Sequence, residues 1–284
     1  MNYLQTAREF KYKKRLGQNF LIDSNVIEAI SSAITLNKEE TILEIGAGLG
    51  FVTNSIADKV KKVIAIEIDT DAIEYLKKLN HSNIDIISED ILKLDLSTLT
   101  KEKVKVIANI PYYITSPILV HLIGEIDDIQ HANRELISEI VIMVQKEVGK
   151  RILATHESKN KEWGALSILL NYWTEPQLIK DVSKTSFWPR PKVDSSILHL
   201  RIRENPVVKV LDTRILKKIV KACFNFRRKT LKNSLFLSGF SSNIITKAFR
   251  ETELNDKIRG ESLSIEELAT LSDIIYQLSQ EEHN

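Results

Sequence analysis

The chain has 284 residues, with 40 lysines and arginines against 38 aspartates and glutamates for a net charge of +2, and is 43% hydrophobic and 27% charged. That length suits one large domain plus a smaller one, and the apolar share supports a sizeable core. The single Cys223 excludes an internal disulfide and any cysteine cluster for a metal, and reads as a small buried hydrophobe. No apolar run approaches a bilayer span, and the basic start (Arg8, Lys11, Lys13, Lys14, Arg15) has no signal-peptide apolar segment, so a cytoplasmic protein without a membrane is expected.

In chain order, residues 8–15 form a basic arm that a solvated tail would explain, but the following Leu16-Gly17-Gln18-Asn19-Phe20-Leu21 does not suit a tail. Asp23 or Ser24 can cap a helix carrying Val26, Ile27, Ile30 and Ile34 on one face. Thr41–Ile45 reads as the first strand, entering the turn Gly46-Ala47-Gly48-Leu49-Gly50 and then a helix from Phe51. The glycines are spaced G-x-G-x-G, unlike the G-x-G-x-x-G of dinucleotide folds, and Glu44 stands two residues before the first. These features favour S-adenosylmethionine, which brings a sulfonium cation and no phosphate, over a pyrophosphate.

A second strand, Lys62–Ile66, ends at Glu67, placed to accept the ribose hydroxyls of a nucleoside cofactor. Asp69 reads as the cap of a helix with Ile73, Leu76 and Leu79. Asn83–Ser88 form a third strand, and Asp90 beyond it can accept from the cofactor's adenine amine or be a solvated loop acid. The fourth strand, around Val104, Val106, Ile107 and Ala108, delivers Asn109-Ile110-Pro111-Tyr112. A helix starts at Ser116-Pro117, residues 124–139 look like a polar loop, and Ile140–Val144 is a fifth strand. Gln177–Val182 and Ser196–Ile202 add two more, and the alternation predicts a doubly wound parallel α/β sheet.

Asn109-Ile110-Pro111-Tyr112 fits the methylation of an amine whose lone pair is delocalised into an aromatic ring. The Asn109 amide oxygen and a main-chain carbonyl held out by Pro111 can accept the two N–H bonds and draw the nitrogen toward tetrahedral geometry. Tyr112 offers a flat face for the base. Further on, Phe187-Trp188-Pro189-Arg190-Pro191 is an extended loop in which Phe187 either completes a sandwich with Tyr112 or anchors the core.

After Asn205-Pro206 the pattern becomes helical, setting domains at 1–204 and 205–284. Thr213 to Arg250 holds ten cations and no acid, an electrostatic footprint for nucleic acid, densest at Arg227, Arg228, Lys229 and Lys232. Lys146, Lys150, Arg151, Lys159 and Lys161 either touch phosphates or form a solvated face. Ser262 to Gln280 reads as a packed amphipathic helix.

Taken together, LGQNFL at Leu16, EIGAGLG at Glu44, EID at Glu67, the acid at Asp90, NIPY at Asn109, FWPRPKVDS at Phe187 and RRKTLKNSL at Arg227 resemble the ribosomal RNA adenine N6,N6-dimethyltransferase family, in particular its small-subunit branch. The resemblance spans nearly the whole chain. It implies a Rossmann-like seven-stranded S-adenosylmethionine-dependent methyltransferase domain followed by a small all-helical domain. It also implies that Asn19 and Leu21 close over the cofactor, and that Gly46, with Gly48 in the same turn, Glu67, Asp90 and Asn109 contact it or the target amine. The implied substrate is two adjacent adenines near the 3′ end of 16S rRNA in the small (30S) subunit, each dimethylated. Direct transfer without a metal is expected because the sulfonium is already a good leaving group, and a monomer is expected. Three rivals remain: the large-subunit (23S) macrolide-resistance branch, against which RRKTLKNSL argues, a largely non-catalytic assembly factor, and an NAD-dependent oxidoreductase, disfavoured by the glycine spacing.

Overall fold

Short β-branched runs closed by glycines and acids become the strands of one sheet. The computed structural model describes residues 2–158 and 162–282, so Lys159 and Lys161 lie outside the described residues. The strands are β1 Phe20–Leu21, β2 Thr41–Ile45, β3 Lys62–Glu67, β4 Ile84–Ser88, β5 Val104–Asn109, β6 Ile137–Gln145, β7 Thr174–Val182, β8 Phe187–Trp188 and β9 Ser195–Ile202. The helices are α1 Tyr3–Glu9, α2 Ser24–Ser32, α3 Phe51–Ile56, α4 Thr70–Leu76, α5 Thr115–Ile123, α6 Ala132–Leu136, α7 Lys146–Leu153, α8 Ala165–Trp173, α9 Thr213–Asn225, α10 Leu231–Leu237, α11 Ser242–Glu251 and α12 Ile265–Glu281.

Seven strands run in the order β4-β3-β2-β5-β6-β9-β7, and β1 pairs with β8 in a separate antiparallel ribbon. Neighbours from β4 to β6 are parallel, and β6 and β9 are antiparallel. The central strands are buried along their length, as apolar runs without alternation require. Lys105, the polar break in β5, is buried but donates to the Thr35 carbonyl (2.8 Å) and pairs with Glu40 (3.1 Å) and Glu139 (3.0 Å).

Two sequence expectations need correction here. The arm is no solvated tail: α1 buries Ala7, Phe10 is 5% exposed, and the Arg8 guanidinium lies 5.2 Å from the Trp188 ring. Nor is 124–139 all loop, because α6 forms within it and β6 begins at Ile137. Two of its polar residues are buried as backbone partners, Asn133 donating to the His121 carbonyl (2.9 Å) and Arg134 to that of Ile123 (2.6 Å).

The chain divides into two compact units: Met1–Gly124, Gln130–Gly149 and Glu175–Ile202 form the first, and Glu125–Ile129, Lys150–Thr174 and Arg203–Asn284 the second. The last crossing lies two residues from the expected cut after 204, but two earlier segments also join the helical unit. Packing decides this, since Trp163 is 4% exposed and its indole donates to the Leu263 carbonyl (3.2 Å).

Candidate active site

In the strand order, β3 and β4 continue from β2 on one side and β5 starts the other, which makes the β2–β5 edge the topological switch point where open α/β sheets bind ligands. Ile45 pairs with Ala108, so the glycine turn and Asn109 emerge side by side. Gly46 has φ +74°, and a Cβ there would stand 2.9 Å from the Asn109 carbonyl oxygen. A side chain at Gly46 would push these two segments apart.

A cleft of about 330 Å³ opens at this point. Asn19, Leu21, Gly46, Gly48, Glu67, Asp90, Asn109, Pro111 and Tyr112 all line it, so residues singled out from five separate stretches converge. Among the described residues its titratable lining is Glu44, Glu67, Glu89, Asp90, Tyr112 and Tyr113, with no lysine, arginine or histidine. Such a lining suits a cationic nucleoside and would repel a pyrophosphate.

The Glu67 carboxylate at the end of β3 accepts from the N–H groups of Gly48 (2.7 Å), Ile68 (2.8 Å) and Asp69 (2.8 Å). Burial raises its pKa, while those three N–H groups pull it back. Asp69 caps α4 through the Asp71 N–H (3.0 Å), as expected. It also does something no local pattern indicated, pairing with Lys13 and accepting from the Gln18 amide (2.6 Å). Burial of the Asp69 carboxyl works to raise its pKa, but the Lys13 and Gln18 bonds hold it below the usual range.

Residues 13–21 are thus a strap across the cleft. One end is tied to Asp69, and Gly17 (φ +61°) presses on the other wall, where a Cβ would meet Pro111 and Tyr113 at 3.2 Å. Asn19 stiffens the turn by donating to the Gly17 carbonyl (2.9 Å), and Leu21 pairs with Phe187 in the β1–β8 ribbon.

Asp90 caps the short 3-10 turn Ile91–Lys93 through the Leu92 N–H (3.0 Å) and keeps a face in the cleft. The Tyr112 hydroxyl bonds the Ser195 hydroxyl at 2.6 Å, and burial raises its pKa, so the ring is neutral and fixed. Ser195 closes the FWPRPKVDS stretch, and only the tertiary structure reveals it as the support of Tyr112. Phe187 is 2% exposed, packs in the core and is not among the residues that line the cleft. The exposed aromatic face at the rim is Tyr113, which sequence reasoning missed.

In the helical unit the candidate RNA-contacting residues divide. Arg227 pairs with Glu261 (3.0 Å) and donates to the Trp163 carbonyl (2.8 Å), and Lys232 pairs with Asp256 (2.5 Å). Arg228 and Lys229 are exposed and enter no ion pair among the described residues. Carboxylates from outside the acid-free window also take Arg214 (Asp212, 2.7 Å) and Lys217 (Asp127, 2.7 Å).

Known proteins fit this geometry. The family model for ribosomal RNA adenine dimethylase matches residues 9–277. Ribosomal RNA small subunit methyltransferase A of Clostridium botulinum type A is 41% identical over 274 residues, covering 95% of this chain and 96% of the relative. Its counterpart in Caldanaerobacter subterraneus subsp. tengcongensis is 37% identical over 278 residues, covering 95% and 100%. A solved dimethyladenosine transferase from Plasmodium falciparum shares the fold, with a TM-score of 0.74 at 24% identity over 92% of this chain and 97% of that one. The solved 23S rRNA methyltransferase ErmE has a TM-score of 0.69 at 25% identity, over 91% and 100%. On its matched length and these identities, the chain belongs to the ribosomal RNA adenine dimethylase family.

Proposed function

We propose that this protein uses S-adenosylmethionine to dimethylate the N6 amines of two adjacent adenines near the 3′ end of 16S rRNA, acting as a monomer on the small (30S) subunit or its precursor in the cytoplasm. The observation that carries the reading is the register that sets Asn109–Tyr112 beside the Gly46–Gly48 turn, in one cleft with Glu67 and Asp90. The small-subunit branch is favoured because relatives of that name are about 40% identical, against 25% for the 23S methyltransferase.

The lining fits the donor: acidic and apolar, without a cation. When bound, the donor supplies an electrophilic methyl group on a sulfonium that departs as a neutral thioether, so no metal is needed. Glu67 holds the ribose hydroxyls, sharing a carboxylate of about four acceptor positions with the glycine turn. Asp90 accepts from the donor's adenine amine.

The Asn109 amide oxygen takes one N–H of the target. Pro111's own carbonyl accepts from the Ile114 N–H (3.2 Å), so the Ile110 carbonyl just before the ring takes the second. Both contacts strengthen as the nitrogen becomes tetrahedral, which makes them catalytic rather than merely adhesive. Stacking on Tyr112 offsets part of the cost of unstacking the base, about a few kcal/mol. Exposed Arg228 and Lys229 meet RNA phosphates.

Labelled donor incubated with unmodified small subunits, large subunits and naked RNA, followed by mass-spectrometric mapping, tests the reading. Dimethyladenosine confined to small-subunit RNA is expected. Label in the large subunit would move the protein to the 23S branch, and tight small-subunit binding without transfer would make it an assembly factor.

A further inference from the structure

Glu44 holds neither the ribose, the adenine nor the target amine, yet it is 3% exposed, lines the cleft and stands two residues before Gly46. Its register neighbours are Ala65 on β3 and Ile107 on β5, neither of them a counter-charge, and the lysines of those strands, Lys62 and Lys105, are paired with Asp85 and with Glu40 and Glu139. Its Oε2 is buried without a hydrogen-bond partner, and so is the Thr53 hydroxyl on α3. Other charged or titratable groups around the cleft are Glu67, Glu89, Asp90, Tyr112 and Tyr113, none of them a cation, and Lys13 is held by Asp69 and Asp71 outside the lining. Burial pushes Glu44 up to about 8, the nearby Thr53 offsets this only in part, and the Glu67 carboxylate pushes it further the same way.

A lone buried carboxylate is costly, and a neutral acid with an orphaned oxygen still leaves an acceptor unmet. A cation entering the cleft removes both penalties. Glu67 differs in that three backbone N–H groups already satisfy it. Resting on the assignment of S-adenosylmethionine as donor, we propose that Glu44 is the neutral acid when the cleft holds no donor and becomes the carboxylate counter-charge of the donor's cationic methionine half, so that donor binding releases the Glu44 proton. The O–H bond breaks, the electron pair stays on the carboxylate and the proton passes to the buffer.

Two consequences can be measured. Below about pH 8 donor affinity weakens toward tenfold per unit of falling pH, and each donor bound near pH 6.5 liberates about one proton. The test is calorimetric titration of the full chain with S-adenosylmethionine at pH 6.5 in two buffers of different ionisation enthalpy, for wild type and Glu44→Gln. Wild type is expected to give different apparent enthalpies corresponding to about one released proton, with Kd about tenfold weaker at pH 6 than at pH 7. Glu44→Gln, which keeps the shape of the neutral acid, is expected to bind without release and with a flat profile. Equal wild-type enthalpies in the two buffers would overturn the proposal even without the variant, as would the same release from Glu44→Gln. A complete lack of donor binding would instead remove the donor assignment, and the proposal with it.

Discussion

At Glu44 the raised pKa also bears on stability. Its folded value of about 8 lies above the ordinary 4.5, so the folded state keeps a proton the unfolded chain loses. The contribution is fully present below about pH 4.5 and is lost as pH rises through about 8. At about 1.4 kcal/mol for each pH unit between those two values it amounts to at most about 5 kcal/mol. Without donor, the urea midpoint of wild type should fall between pH 5 and 8, and that fall should shrink in Glu44→Gln. At Asn109 the loss concerns turnover: Asn109→Ala should lower kcat about 10²–10³-fold at saturating donor, measured by label transfer to small subunits. Tyr112→Phe keeps the ring and loses only the Ser195 bond, a net effect of about 1 kcal/mol. Tyr112→Ala also loses stacking and should be several-fold more damaging in kcat/KM. Cys223 is inert by the same physics, since burial pushes its thiol up to about 12.

Among the elements, the strap and the glycine turn govern the cleft. Asp69→Asn can still cap α4 but loses the charge that attracts Lys13. We expect faster amide exchange over residues 13–21 and a donor Kd several-fold weaker, with kcat little changed. The Asp69 pKa is lowered, so its contribution is present above the ordinary value of 3.8 and is lost only in more acidic solution; the strap stays latched at neutral pH. Gly46→Ala would meet the Asn109 carbonyl oxygen at 2.9 Å with φ at +74°, so it should lose activity more than thermal stability. Neutral activity assays and a melting curve on one preparation separate the two.

For the whole molecule, the relevant quantity is how much positive charge remains after internal pairing. Lys221, Arg228, Lys229, Lys247 and Arg250 are exposed, whereas Arg214, Lys217, Arg227 and Lys232 are matched by acids from elsewhere in the chain. Replacing Arg228 and Lys229 by alanine should reduce the slope of log affinity against log salt by about one to two units for a 16S RNA fragment, leaving donor binding intact. Arg227→Ala should instead lower the melting temperature, because it strips a partner from Glu261 and the Trp163 carbonyl.

The sequence by itself determined the seven strands of the main sheet, the glycine turn, the Asn109–Tyr112 segment and the acids after β3 and β4, because strand periodicity, turn chemistry and capping are local properties; it did not show the β1–β8 ribbon. It also carried the family, through motifs spread along nearly the whole chain. Tertiary structure alone decided which charges are free, since the carboxylates that match Arg227 and Lys232 lie 34 and 24 positions away. It decided that Phe187 is buried in a ribbon with Leu21, that Ser195 pins Tyr112, and that Asp69 ties down the arm. It joined 125–129 and 150–174 to the helical unit. In each case the deciding contact spans tens to more than a hundred residues, and no local pattern of residue types records which distant group will arrive.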